Sequence, residues 1–221
     1  LTLKNRGILR IGDFDTRPSK SDFLPAEDMA RLKARLEDRA SPAAGGVGRI
    51  VFFLPEPGLL ENLVMALGKY RDFEVDRVFF SLRRKEGVPL GTFGRLRVGE
   101  SSSVLLYAFP YLRSVSPLWY TLAPAPLGIV VFLKDEMTGS LENLMAVSDY
   151  TRGASARVVL AVMGNAFTEF GLGENTTRLF QSRLEKLGCF LKVQKLDQLS
   201  PEEIRDALLR VVRQSLQGDP I

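Results

Sequence analysis

The sequence predicts a three-layer α/β domain on a mostly parallel, six-stranded sheet with one antiparallel edge hairpin. Three observations carry that prediction. The short apolar runs "RIVFFL" (49–54), "LGIVVFL" (127–133) and "ARVVLAVMG" (156–164) have the composition of strands buried on both faces. Segments of helical periodicity separate them, which makes βαβ units, and right-handed crossovers then put helices on both sides of the sheet. Finally, "FGRLRVGESSSVLLYAFP" (93–110) reads as two strands turning at Gly99–Ser102, a hairpin.

The elements follow in order. Residues 1–45 read as an N-terminal appendage and 46–221 as the main domain. Within the appendage, "PAEDMARLKARLEDR" (25–39) is a helix with Pro in its first turn and acids near its start. Met29, Leu32 and Leu36 form its narrow apolar stripe, which suits an intramolecular brace, a linker to another domain or a dimer contact. "ASPAAGGVG" (40–48) is a small-residue linker. The first buried strand leads through a Pro/Gly turn into a helix from about Leu59 to Tyr70. "VDRVFFSL" (75–82) looks extended, and Ser140 is placed to cap a helix running to about Thr151. In "TTRLFQSRLEKLG" (176–188), Phe180, Leu184 and Leu187 share a face and Gly188 is a C-cap. "CFLKVQKL" (189–196) is a strand. "SPEEIRDALLRVVRQSL" (200–216) opens on Ser200, Pro201 and Glu203, a capping box with Pro at the first helical position.

Composition excludes several chemistries. The chain has 221 residues and no histidine, which removes Ser-His-Asp and Cys-His catalysis and imidazole metal sites together. The single Cys189 leaves no intramolecular disulfide and no thiolate metal cage, and its apolar setting reads as a core thiol. No metal or cofactor is expected. Lys+Arg 30 against Asp+Glu 26 gives +4, a mild basic surplus spread along the chain rather than gathered in a patch. No apolar run approaches the roughly 18–20 residues of a membrane span. The opening text has no signal-peptide pattern, so a cytoplasmic location is expected. A first residue of Leu suggests a piece of a longer chain.

The order of strand, tight turn, helix, extended segment, hairpin and three βα units resembles a Ras-like small GTPase, a P-loop-NTPase-like fold, of the bacterial gliding-motility type. "GTFGRLRV" (91–98) looks like that family's second strand, "SVLLYAFP" (103–110) its third, "LGIVVFLKDE" (127–136) its fourth and "RVVLAVMGN" (157–165) its fifth. The resemblance covers about 46–216. It implies switch I at 79–91 and switch II at 110–124.

The family's functional motifs do not follow. A phosphate loop needs G-x-x-x-x-G-K-[ST], in which backbone N–H groups and Lys hold phosphates and the hydroxyl holds Mg²⁺. In the stretch Pro55, Glu56, Pro57, Gly58, Leu59, Leu60, Glu61, with Gly58 as second glycine, Phe53 replaces the first glycine, Leu59 the lysine and Leu60 the hydroxyl residue. The two prolines lack N–H donors, and Glu56 and Glu61 add negative charge where phosphates would sit. After the third strand, "FPYLRSVSP" (109–117) has neither the expected Gly nor Gln. After the fifth, Asn165 survives from the base-recognition motif, but Ala166 and Thr168 replace its Lys and Asp. The expectation is a non-catalytic pseudo-GTPase without bound nucleotide.

Function is then sought on other surfaces. Tyr111, Leu112, Arg113, Leu118, Trp119 and Tyr120 have the aromatic-plus-Arg composition of an interface anchor, or of a helix packed onto the sheet. Arg83, Arg84 and Lys85 suit an acidic partner or a solvated loop. Asp135 and Glu136, after the fourth strand, read as loop acids. The resemblance implies a protein partner, of Roadblock/LC7 type, or a homodimer in a bacterial cytoplasmic assembly. The alternatives are a nucleotide-sensing or active NTPase with a divergent phosphate loop, its cation coming from Arg95 or a partner, and a basic nucleic-acid-binding module through 82–97.

Overall fold

The computed structural model describes residues 22–38, 46–55, 57–76, 79, 90–98, 100–133, 141–154, 159–164, 182, 185–186, 190–196 and 200–217. Seven strands form one mixed sheet: β1 (Val47–Leu54), β2 (Phe73–Val75), β3 (Gly91–Val98), β4 (Ser102–Pro110), β5 (Gly128–Leu133), β6 (Val159–Gly164) and β7 (Phe190–Leu196). The helices are α1 (Ala26–Asp38), α2 (Pro57–Leu67), α3 (Ser116–Leu122), α4 (Leu141–Gly153) and α5 (Pro201–Gln217). Across the sheet the order is β2-β3-β4-β1-β5-β6-β7. Strands β4, β1, β5, β6 and β7 run parallel, β3 is antiparallel to β4, and β2 is antiparallel to β3.

Among the described residues the count is therefore seven rather than six, and the hairpin β3–β4 is not the edge. The short β2 pairs outside it, matching Phe73 with Leu96 and Val75 with Gly94. The extended reading of 75–82 also needs correction, because Phe79 is helical. Its N–H donates to Asp76 Oδ1 at 3.0 Å, the local bond with which an Asp side chain starts a turn.

Alternation along β1 divides the interior into two layers. Ile50, Phe52 and Leu54 join Leu59, Leu60, Leu63 and Val64 of α2 and Ile204, Leu208 and Val212 of α5. Val51 and Phe53 face the other way, onto Trp119 of α3 and Leu144, Val147 and Tyr150 of α4. The expected continuous apolar run of β1 thus feeds both cores, and helices cover both faces of the sheet.

Helix α1, read from sequence within the appendage, contributes to the first core. Leu32 and Leu36 are buried with Phe23 and Leu24 among the residues of β1, β4 and α5, and Met29 packs at their edge. Of the three uses its stripe suits, the intramolecular brace is the one the structure displays. Asp28 accepts from Arg213 Nε of α5 at 2.8 Å, and Arg205 Nε donates to Phe23 O at 2.7 Å. Phe23 N–H reaches Asp72 Oδ2 at 3.1 Å, and its ring meets Tyr70 edge-on.

Two glycines let α1 come this close. A Cβ on Gly46 would lie 2.4 Å from the Leu36 carbonyl carbon, and one on Gly48 3.2 Å from a Leu36 methyl. The end of the small-residue stretch 40–48 is therefore the contact floor for α1 and the first residues of a strand. At the other terminus the capping box forms as expected. Glu203 N–H donates to Ser200 Oγ at 3.2 Å, and Ser200 N–H to Glu203 Oε2 at 3.3 Å.

Candidate functional site

Ligands of open α/β sheets bind outside the carboxyl ends of the strands, so the β1–α2 junction comes first. Strand β1 ends at Leu54 and α2 begins at Pro57, leaving only Pro55 and Glu56 between them. A phosphate cradle wraps several consecutive N–H groups around its ligand. A two-residue connection with a proline on either side of Glu56 has neither the length nor the donors. The α2 positions nearest to the lysine and hydroxyl of a phosphate loop are equally unsuited. Leu59 and Leu60 are fully buried and pack under the helix into the core. Gly58 is exposed, with open space around its Cβ position, so no close backbone approach requires a glycine there. Glu61 is half-exposed on the helix surface, and Glu56 lies outside the described residues.

Arg95, considered as a substitute cation, is on β3 and in register with Leu105, which is opposite Arg49 of β1. Five residues of strand separate that level from Leu54, a span of about 17 Å. Arg95 is instead bound to Glu74, its Nε at 2.6 Å from Oε2, with Arg97 Nε at 3.0 Å from the same carboxylate. It supplies nothing to the β1–α2 junction.

The segment after β4 divides into core and surface. Tyr111 and Trp119 are buried, Trp119 completely, among Phe53, Phe109 and Tyr150. The indole stacks on Phe109 at 12° and meets Phe53 edge-on at 4.8 Å. Tyr111, just past the end of β4, donates to Phe132 O of β5 at 2.8 Å, reaching across the end of the intervening β1. Trp119 Nε1 is buried without a hydrogen-bond partner. On the outside, Leu112 is 51%, Leu118 49% and Tyr120 39% exposed. Arg113 is exposed too, its backbone N–H on Asn143 Oδ1 at 3.1 Å and its guanidinium 3.7 Å from Glu142. The proposed anchor is therefore two things at once: a buried aromatic pair and an exposed rim of Leu112, Arg113, Leu118 and Tyr120.

Arg83, Arg84, Lys85, Asp135, Glu136, Asn165 and Cys189 lie outside the described residues, as does the 176–188 helix apart from Ser182, Glu185 and Lys186, which are helical and exposed. Among the described residues no group of three or more His, Cys, Asp or Glu is placed to hold a metal ion.

The feature sequence reading missed is a tyrosine cluster on the α3–α4 side. Tyr150 donates to Ala123 O at 2.7 Å and meets Tyr120 at 5.2 Å between centroids. Burial pushes the Tyr150 phenol well above its ordinary value, with Tyr120 and Tyr107 adding and Arg49 opposing. Burial alone raises Tyr111 strongly. Unfolded phenols ionise near pH 10, so above that pH the unfolded chain binds fewer protons than the folded one. Stability is expected to be level below about pH 10 and then to fall by up to about 1.4 kcal/mol per pH unit for each buried phenol. Urea unfolding across the alkaline range checks this. The fall should be reduced in Tyr111→Phe/Tyr150→Phe, and an equal fall in that variant would assign it to other groups.

The class defined by this fold and site is an α/β protein with a mixed sheet, helices on both faces and a closed β1–α2 junction. No family model matches the chain, and no curated protein matches it either. Among the described residues no helix is long and apolar enough to cross a membrane.

Proposed function

We propose that this chain is a non-catalytic, small-GTPase-like domain, a pseudo-GTPase, that works by binding another protein. The observation that carries this reading is the β1–α2 connection. Only Pro55 and Glu56 stand where a phosphate loop would run, and Leu59 and Leu60 point into the core. The antiparallel β3 joined by a hairpin to the first of a parallel set supports the small-GTPase comparison. The exposed Leu112, Leu118 and Tyr120, beside Arg113, supply apolar surface with a cationic neighbour for a protein partner, of Roadblock/LC7 type or a second copy.

Titration of the full chain with fluorescent GTP, GDP and ATP in the presence of Mg²⁺ tests the proposal. No saturable binding is expected in the micromolar range. Micromolar affinity for any of the three would overturn it and favour the nucleotide-sensing alternative.

A further inference from the structure

Helices α3 and α4 cover only part of their side of the sheet. Toward the β2 edge, the residues facing that side are Glu74, Arg95, Leu105 and Arg49, which form one row across β2, β3, β4 and β1 in register. Arg97, Ser103 and Val47 form the next row. The faces are assigned by alternation, since Val104, Leu106 and Leu96 belong to the opposite core. The register shift between Thr92 and Gly94 keeps Phe93 and Gly94 together on that opposite side, leaving Arg95 and Arg97 on this one. Arg95 and Arg97 are exposed, Val47 is 44% exposed, and Arg49, Ser103 and Leu105 are half-exposed.

Arg49 is the anomaly. Its Nε is buried with no hydrogen-bond partner, and no carboxylate is paired with it among the described residues. A partly desolvated guanidinium without an anion costs free energy, and a buried unsatisfied group in a folded protein calls for an absent partner as its explanation. Glu74 is three strands away, with β3 and β4 between, and is already engaged by both Arg95 and Arg97.

We propose that this uncovered face of β1, β4 and β3 is a docking surface for an acidic segment of a partner protein, with Arg49 as the anchoring cation. Charge complementarity selects the occupant. Three arginines against one glutamate leave a surplus of positive charge, and a guanidinium offers paired donors that match a carboxylate. Val47 and Leu105 supply apolar surface between the cations, as a peptide needs. A nucleic acid backbone would have to pass Glu74 and would find a short track of cations. Arg49 is five strand residues from the β1–α2 junction, so the inference does not depend on whether the chain binds nucleotide, while its charge also reaches the Tyr150 phenol that packs on Tyr120.

The test uses the full chain, a labelled alternating glutamate–threonine peptide, its glutamine–threonine counterpart and a single-stranded oligonucleotide. At low salt the acidic peptide is expected to bind, with Arg49→Met weakening it at least about ten-fold and Arg210→Met, on an exposed position of α5, leaving it unchanged. Thermal unfolding provides the second readout. Arg49→Met should be as stable as the parent or more stable, because it removes an unpaired, partly buried charge. A marked loss of stability in Arg49→Met would make Arg49 a structural residue and overturn the proposal. So would equal binding of the glutamine peptide, failure of the acidic peptide to bind, or tighter, Arg49-dependent binding of the oligonucleotide.

Discussion

Gly46→Val is expected to destabilise the chain by about 3 kcal/mol, the upper range for overpacking a filled site. The new Cβ would stand 2.4 Å from the carbonyl carbon and Cβ of Leu36 and 2.5 Å from its carbonyl oxygen. Backbone cannot step aside as a flexible side chain can, so the last turn of α1 has to move. That movement would pull Leu36, and through it Leu32, from the core they share with β1, β4 and α5. Urea unfolding followed by the emission of the only tryptophan measures the loss. A cost below about 0.5 kcal/mol, the range of ordinary surface substitutions, would mean that α1 does not rest on Gly46.

The second large effect is at Trp119. Truncation to alanine is expected to cost about 3–5 kcal/mol, the range for removing a large buried aromatic. The indole holds together Phe53 of β1, Phe109 of β4 and Tyr150 of α4. Leu118, one residue earlier and half-exposed, should change stability by less than about 0.5 kcal/mol on truncation. Trp119→Phe should cost less than its loss of volume suggests, because it also removes an N–H buried without a partner. Chemical denaturation of the three variants, followed by circular dichroism, gives the ranking. A Trp119→Ala change as small as that of Leu118→Ala would return Trp119 to the surface.

Much of this architecture is legible in local chemistry. Strands β1 and β5 are readable because a strand buried on both faces is apolar without interruption, and "RIVFFL" fits little else. The ends of α5 and α1 are readable because Ser200 with Glu203, and Pro25 with Glu27 and Asp28, mark helix starts by hydrogen bonding and charge. The 75–82 segment is not, because Val, Phe and Phe suggest a strand while one Asp76 side chain starts a helical turn at Phe79. Edge strand β2 has three residues, too few to show a period.

The candidate site is legible by subtraction. The missing lysine, hydroxyl and N–H donors can be read from the text, but the shortness of the junction depends on where strand and helix stop. Whether Trp119 is inside or outside was open because its neighbours Leu118 and Tyr120 are equally apolar, and a short helix turns alternate residues in different directions. Arg49 carried no signal at all. Its position becomes unusual only when β4, more than fifty residues later, is laid beside β1.

The clamp between α1 and α5 has a consequence for the order of folding. Arg205 holds Phe23 across 182 residues, and Arg213 holds Asp28 across 185, so the seam joins the two ends of the described chain. During synthesis α1 emerges well before the helix that covers it. Phe23, Leu32 and Leu36 therefore lack the α5 side of their packing until the strands and helices between α1 and α5 have been made. Contacts of such separation carry the largest loop-closure entropy in the chain, which places the seam at the end of assembly rather than in its nucleus.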